Sequence, residues 1–274
     1  LYPKNFDGKY HGEVTLHYAL SNSLNVPSVK VLEYVGLPHF YSFLTTELGF
    51  IPLQPLESYQ YGIALGGLEM DLLTLTHYFS LFPREGTLAP LTLVSTTGET
   101  VALPHARIEK ETRVAEPNYT ALVTKLLSDR LTGVEQFGLV SSLNLTLPAY
   151  AVKTGTSRDF HDSWVVGYTP DVVVGVWLGN SENTPLAQVS GQSGAGVVWH
   201  DVMEYLGDSP YFTGRGFEER SVTLLEIDGA REWGLTSDVV PDHQNLLTDN
   251  RLITSPHEGD VFGLGTESRI PLHS

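Results

Sequence analysis

Lys153-Thr154-Gly155-Thr156, at the end of the apolar run Ala149-Tyr150-Ala151-Val152, is the stretch whose residue types could do chemistry. An apolar, β-prone run that climbs into a lysine and then into small and hydroxyl residues reads as a strand with a buried start and a polar end. Such an end can lie along one wall of a cleft. Lys153 supplies a point charge and, if its pKa is lowered, a proton carrier. Thr154 and Thr156 offer hydroxyls to a carboxylate, and Gly155 removes bulk so that an extended peptide can pair closely with the strand. Alone the triplet is a weak signal, because a strand whose Lys and Thr simply face water has the same letters. It gains meaning from a Ser-x-Asn loop upstream. The chain has three such triplets: Ser23-Leu24-Asn25, Ser142-Leu143-Asn144 and Ser181-Glu182-Asn183. Only the first sits between two expected helices.

The elements that must position these groups follow from periodicity and turn residues. Helical spacing over 13–24 gives out at Ser21-Asn22-Ser23-Leu24-Asn25, residues that prefer caps and turns. Pro27 suits the first turn of a second helix, closed by Gly36. A short helix follows from Pro38 to about Gly49, and Tyr61 to Gly67 is a Gly-rich connector. The clearest helix is expected over 68–82, with Leu72, Leu75, Phe79 and Phe82 on one stripe. Residues 91–94 and 99–103 read as a small hairpin about Thr97-Gly98. A helix from Glu116 to Arg130 precedes the Lys-Thr-Gly strand. Two further strands, 163–168 and 172–178, are joined by Thr169-Pro170-Asp171. The second is apolar nearly throughout, so it is expected to be central and covered on both faces. A helix over 195–206 closes the region. Sequential pairing makes the sheet antiparallel, with helices before and after it: an α+β pattern.

Past Gly207 the texture loosens. Residues 207–219 read as a linker, and 220–274 as the start of a β-rich extension with short strands at 221–227 and 251–253. Thr254 to Phe262 resembles the opening of a β-sandwich module.

Composition narrows the function classes. An apolar fraction of 41% in 274 residues describes a globular chain with a real core. A net charge of −16 argues against nucleic acid as a partner, since phosphate neutralisation needs clustered Lys and Arg. With no cysteine, neither disulfides nor Cys-ligated zinc can be invoked. No apolar run approaches membrane-spanning length, and no signal peptide is visible. The first residue is Leu1, which suggests a fragment. His11, His17 and His257 lack the clustered partners a metal needs, and most of the histidines are expected at the surface, so no metal site and no cofactor are assigned. Asp159 is read as a turn cap and Asp162 as a structural contact. Glu33, Glu47 and Glu69 are read as solvated helix faces, and Trp177 and Trp199 as core.

Several of these stretches together resemble the transpeptidase domain of class A (bifunctional) penicillin-binding proteins. They are Asn5-Phe6-Asp7-Gly8, Ala19-Leu20, Ser23-Leu24-Asn25-Val26-Pro27, and Val152 to Ser157 with Phe160, Asp162 and Trp164. Gly175 to Asn180 and the 190–199 stretch continue the match in order and spacing over roughly residues 1–206. The tail from about 220 resembles the penicillin-binding protein 1C branch.

The resemblance implies a serine-transpeptidase (β-lactamase/penicillin-binding) fold, incomplete at its N-terminus. It implies acyl transfer: a serine attacks the penultimate D-Ala carbonyl of a peptidoglycan stem peptide, releases the terminal D-Ala, and an amino group of a neighbouring stem peptide takes the acyl group. β-Lactams imitate the D-Ala-D-Ala end. Carried over, Ser23 would relay protons toward the leaving amine, Asn25 would bond the substrate amide, and Lys153 would hold Ser23 electrostatically. Thr154 and Thr156, flanking Gly155, would bind the terminal carboxylate, and the Thr156 N–H would be one arm of an oxyanion hole. The expected setting is the periplasmic side of the inner membrane, in a parent that also carries a glycosyltransferase domain and an N-terminal anchor. Cell-wall synthesis proteins are the expected further partners.

In such sites a Ser-x-x-Lys motif supplies the nucleophile and its base. No Ser-x-x-Lys occurs in these 274 residues. The chain alone is therefore expected not to acylate, and to expose an apolar edge at 172–178 that makes it poorly folded or aggregation-prone. The competing readings are a D,D-carboxypeptidase or β-lactamase-like hydrolase, and a non-catalytic module that binds stem peptides or partner proteins.

Overall fold

Three antiparallel strands with helices on both faces form the frame in this computed structural model, which describes residues 3–94, 98, 100–102, 108, 110–187, 189–227, 230–238 and 253–254. The elements before the frame are β1 (Glu13–Val14), α1 (Leu16–Ser21), α2 (Asn25–Val35), α3 (Leu37–Ser42), α4 (Leu56–Tyr59) and α5 (Leu72–Phe79). Then come four short strands, β2 (Thr87–Leu88), β3 (Thr92–Val94), β4 (Thr100–Ala102) and β5 (Thr112–Arg113), and the helices α6 (Pro117–Ser128) and α7 (Val134–Phe137). The frame is β6 (Ala151–Thr156), β7 (Asp162–Tyr168) and β8 (Val173–Gly179), followed by α8 (Ala195–Gly207). The hairpin β9 (Val222–Ile227) and β10 (Ala230–Leu235) and the short β11 (Ile253–Thr254) complete it.

Two cores hold the helices to the sheet. On one face Trp199 and Met203 of α8 pack with Val152 and Val165. On the other, Leu127 of α6 meets Ala151 and Tyr168, with Phe79 and Phe82 against them. Tyr168 is fully buried, so its hydroxyl needs a partner, and Thr124 Oγ1 supplies one at 3.0 Å. A separate helical lobe gathers Leu44, Leu48, Phe50, Leu88 and Ile108 around its own core.

Side-chain caps set the start of two helices. The helix expected to begin near residue 13 starts at Leu16, because Thr15 Oγ1 accepts the Tyr18 N–H at 3.1 Å. The helix expected over 68–82 is shorter for the same reason: the Asp71 carboxylate accepts the Thr74 N–H at 2.9 Å and fixes the start at Leu72. The 38–49 helix is α3 continued by a wider π turn over Phe43–Glu47. The hairpin expected at 91–103 appears as β3 paired with β4, while 95–97, 99 and 103 lie outside the described residues.

Three expectations are corrected. The Val-rich strand is not central: among the described residues β8 pairs with β7 alone, so it is a sheet edge even though α5 and α8 lie against it. Gly175 shows how closely α5 approaches, since a Cβ there would stand 2.0 Å from Thr76 Oγ1. Trp177 on that strand is 38% exposed rather than core, and its Nε1 donates to Asp162 Oδ1 at 2.9 Å, whereas Trp199 is fully buried. His17 is buried rather than surface, held between Asp129 Oδ2 (3.0 Å) and Glu232 Oε2 (3.1 Å).

The region read as linker and extension is fastened to the body where it is described. Thr213 and Arg215 both bond Asp171, in the turn between β7 and β8, and Phe217 packs edge-on against Tyr168 at 5.7 Å. The β9–β10 hairpin, whose second strand the sequence did not signal, lies on α6, with Lys125 Nζ 4.4 Å above the Trp233 ring. Of the strand expected at 251–253, residues 251 and 252 lie outside the described residues, and Ile253 falls in β11, where it pairs with Val14 of β1. Residues 255–262, read as the opening of a sandwich module, lie outside the described residues.

Candidate active site

Ser23 is held in a turn that its sequence neighbours build. Helix α1 ends at Ser21 with Asn22 as its cap, and Ser23 takes a left-handed backbone conformation (φ 55°) before α2 begins at Asn25. That conformation costs a non-glycine residue about 1 kcal/mol or more, so the surroundings must enforce it. Asn22 does much of this. It is buried, donates through Nδ2 to the carbonyls of Tyr18 (3.1 Å) and Thr132 (2.8 Å), and accepts the Gln136 N–H at Oδ1 (3.2 Å). From the other side, the Asn5 side chain accepts the Val26 N–H at 3.0 Å and so caps the start of α2.

Across the cleft stands β6. Side chains alternate along a strand, so Ala151, Lys153 and Gly155 share one face, and Val152, Thr154 and Thr156 the other. Ala151 is buried against α6, which places Lys153 on the side of α6 and α1. There Lys153 Nζ donates to Ser23 Oγ at 2.6 Å and to the Thr154 carbonyl at 2.8 Å. The two residues are 130 positions apart in the chain. Burial of the ammonium, with the Arg130 charge nearby, lowers the Lys153 pKa to about 8.

The polar end of β6 presents an open edge. Ser157 N–H donates back to Asp162 O of β7 at 3.0 Å. Antiparallel alternation then turns the N–H groups of Thr156 and Thr154 away from β7, toward the edge that has no strand partner among the described residues. Above the other face lies the 190–194 loop, whose Gly191 N–H donates to Thr156 Oγ1 at 2.9 Å. A Cβ at Gly191 would come within 2.8 Å of the Gly155 carbonyl oxygen, so only glycine lets the loop sit this close. Gly155 has a packing reason as well, because a Cβ there would press on Trp164 Cβ at 3.2 Å.

Of the six residues singled out in the sequence, the fold joins Ser23 directly to Lys153 and sets Thr154, Gly155 and Thr156 beside them on the same strand. Asn25 is differently engaged: its Nδ2 donates to the Lys4 carbonyl at 2.8 Å. Phe6 and Phe160 meet edge-on at 6.1 Å, linking the Asn5–Gly8 loop to the turn after β6. The two other Ser-x-Asn triplets are structural. Ser142 Oγ donates to the Gln192 carbonyl, Leu143 is buried, and Ser181-Glu182-Asn183 forms an exposed turn. Sequence reasoning missed Asn22, Gly191 and Arg130 as site-forming groups. The first two were visible only as members of a turn cluster and a Gly-containing loop, and Arg130 as a helix end. Among the described residues no group of three or more His, Cys, Asp or Glu could hold a metal ion, and no helix is long and apolar enough to cross a membrane.

A serine hydroxyl hydrogen-bonded to a lysine of lowered pKa can exchange a proton with it, and outward strand N–H groups can bind an extended peptide or a developing oxyanion. No protein-family model matches the chain. Over 206 residues it is 34% identical to penicillin-binding protein 1A of Aquifex aeolicus (strain VF5), a match covering 74% of this chain and 27% of that protein. The chain thus spans about a quarter to a third of the length of the curated relatives it matches. Among solved structures, penicillin-binding protein 1A from Haemophilus influenzae superposes with a TM-score of 0.64 at 20% identity, covering 85% of this chain and 42% of that one. The PonA1 protein from Mycobacterium tuberculosis, in complex with penicillin V, gives 0.61 at 20% identity over 79% of this chain and 62% of that one. The homologues are thus class A penicillin-binding proteins matched over the transpeptidase region, and the fold is the α+β fold of penicillin-binding transpeptidase domains.

Proposed function

We propose that this chain supplies the Lys-Thr-Gly side of a peptidoglycan D,D-transpeptidase site, as part of a bifunctional penicillin-binding parent of the 1C type. The observation that carries the reading is the 2.6 Å contact from Lys153 Nζ to Ser23 Oγ, made between the two motifs that the family resemblance pairs. In this reading the substrate is a stem peptide ending in D-Ala-D-Ala, lying along the open edge of β6. The Thr156 N–H takes the developing oxyanion, and removal of one such donor typically costs about 3 kcal/mol of transition-state stabilisation. Thr154 and Thr156 bind the terminal carboxylate; the Thr156 oxygen already accepts from Gly191, which leaves its own proton to donate. As the serine–acyl bond forms and the bond to the terminal D-Ala breaks, Ser23 hands a proton to the leaving amine and is resupplied through Lys153. Asn25 releases the Lys4 carbonyl to bond the substrate amide.

The attacking serine and its base belong to a Ser-x-x-Lys motif that these residues do not contain. Acylation is accordingly assigned to the parent, acting on the extracytoplasmic side of the inner membrane with stem peptides and β-lactams as ligands. Incubation with a fluorescent penicillin tests this. The 274 residues alone stay unlabelled, a parent polypeptide carrying Ser-x-x-Lys is labelled, and its Lys153→Ala variant labels at least tenfold more slowly. Labelling of the isolated chain, or undiminished labelling of the variant, refutes the assignment.

A further inference from the structure

Lys153 does not stand alone as a cation. Arg130 follows the C-terminal end of α6, and its side chain lines the same small cavity as Lys153, Thr154 and Ser21. Its guanidinium lies 5.4 Å from the Phe137 ring, and its buried Nε has no hydrogen-bond partner among the described residues. The groups that face this pair are few. Asp129, the adjacent carboxylate, is committed elsewhere: it lies 3.0 Å from His17 Nε2, and it accepts from Thr132 Oγ1 (2.7 Å) and from the N–H groups of Leu131 and Thr132. Burial pushes its pKa up, but the Thr132 hydrogen bonds and the His17 charge outweigh that and hold it below the usual range. Tyr150 is the other titratable group near Arg130, and its hydroxyl oxygen accepts the Leu145 N–H at 3.1 Å. Lys153 itself is bonded to a hydroxyl and a carbonyl.

We propose that Arg130 is a positioning residue of this site, a permanently charged neighbour held behind Lys153 that primes the Lys153–Ser23 pair to pass a proton. A guanidinium does not give up its charge at any working pH, whereas an amine can. Of two cations enclosed together it is therefore the lysine that sheds its proton. Asp129 lines the same cavity and its charge supports the Arg130 guanidinium, while its contacts with His17 and Thr132 share that charge with other partners. Without Arg130, Lys153 would still be desolvated but would more readily stay an ammonium, tying Ser23 down as a fixed hydrogen-bond acceptor.

The inference rests on the reading of Ser23 and Lys153 as the proton-handling pair, yet its test needs no turnover. The 274-residue chain at low micromolar concentration is treated with a trace of amine-acylating reagent across a pH series, and Lys153 modification is read by mass spectrometry. The rate midpoint reports the amine's titration. It is expected near 8 in the unaltered chain. In Arg130→Gln it is expected to rise by roughly half to one pH unit. Arg130→Met carries the same test should the Gln variant not fold, since it keeps the apolar contact with Phe137. A midpoint that stays put, or falls, in the folded variant overturns the proposal. Failure of penicillin labelling in the parent would instead strike the transpeptidase reading and leave this measurement standing.

Discussion

At the scale of single residues, the left-handed Ser23 is the most constrained point of the molecule's chemistry. A hydroxyl at this position must be presented to Lys153, and the backbone conformation that does so is one that side chains resist. Replacement by alanine and by glycine both remove the hydroxyl, so comparing the two isolates the backbone. Ser23→Gly should be more stable than Ser23→Ala in urea titration by about 1 kcal/mol, the reverse of their order in a regular helix. Equal stabilities, or alanine ahead, would mean the turn is not held as described. The letters Ser21-Asn22-Ser23-Leu24-Asn25 announced a break between helices. With three Ser-x-Asn triplets available, the choice of Ser23 came from its place between two expected helices and from the family resemblance, and the contact itself, 130 residues along the chain, came only from the fold.

At the scale of elements, the boundary between body and extension is drawn by packing rather than by composition. Polar, Gly- and Pro-containing sequence past residue 207 has the texture of a linker, yet Asp171, Tyr168 and Lys125 each hold a part of it. Glu232 of β10 reaches through His17 to Asp129, which caps α6 just before Arg130. Truncation after residue 219 should therefore lower the thermal unfolding midpoint of the remaining body by several degrees. It would uncover the α6 face beneath the hairpin, including the Lys125–Trp233 contact, which is worth of the order of 1 kcal/mol in itself. An independent extension would leave the midpoint where it was. The frame strands, by contrast, were legible. Alternating and apolar runs bounded by Thr169-Pro170-Asp171 gave β7 and β8, because turn chemistry and β-propensity there agree with the tertiary outcome.

At the scale of the whole molecule, the apolar strand β8 is a sheet edge, and Val198, Val202 and Tyr205 of α8 are exposed. Unpaired strand groups beside apolar side chains favour association with another chain. The 274-residue polypeptide is accordingly expected to self-associate as its concentration rises, by light scattering, and Val198→Glu with Val202→Lys should suppress this. A monodisperse monomer at high concentration would contradict the expectation. The apolar run read by itself suggested a central strand, and only the family resemblance led to the expectation of an exposed edge at 172–178, since an apolar run looks the same whether a strand neighbours it or nothing does.

The sequence by itself determined the α+β class, the strand that bears Lys153 and the helix break that bears Ser23, because period, caps and turn residues act over a few positions. Only the tertiary structure decided that these two meet at 2.6 Å, that Arg130 shares a small cavity with the lysine, and that the C-terminal hairpin lies on α6. Those outcomes depend on chain closure over a hundred residues or more and on which charges are left unpaired once the core has formed. Neither is written in local pattern.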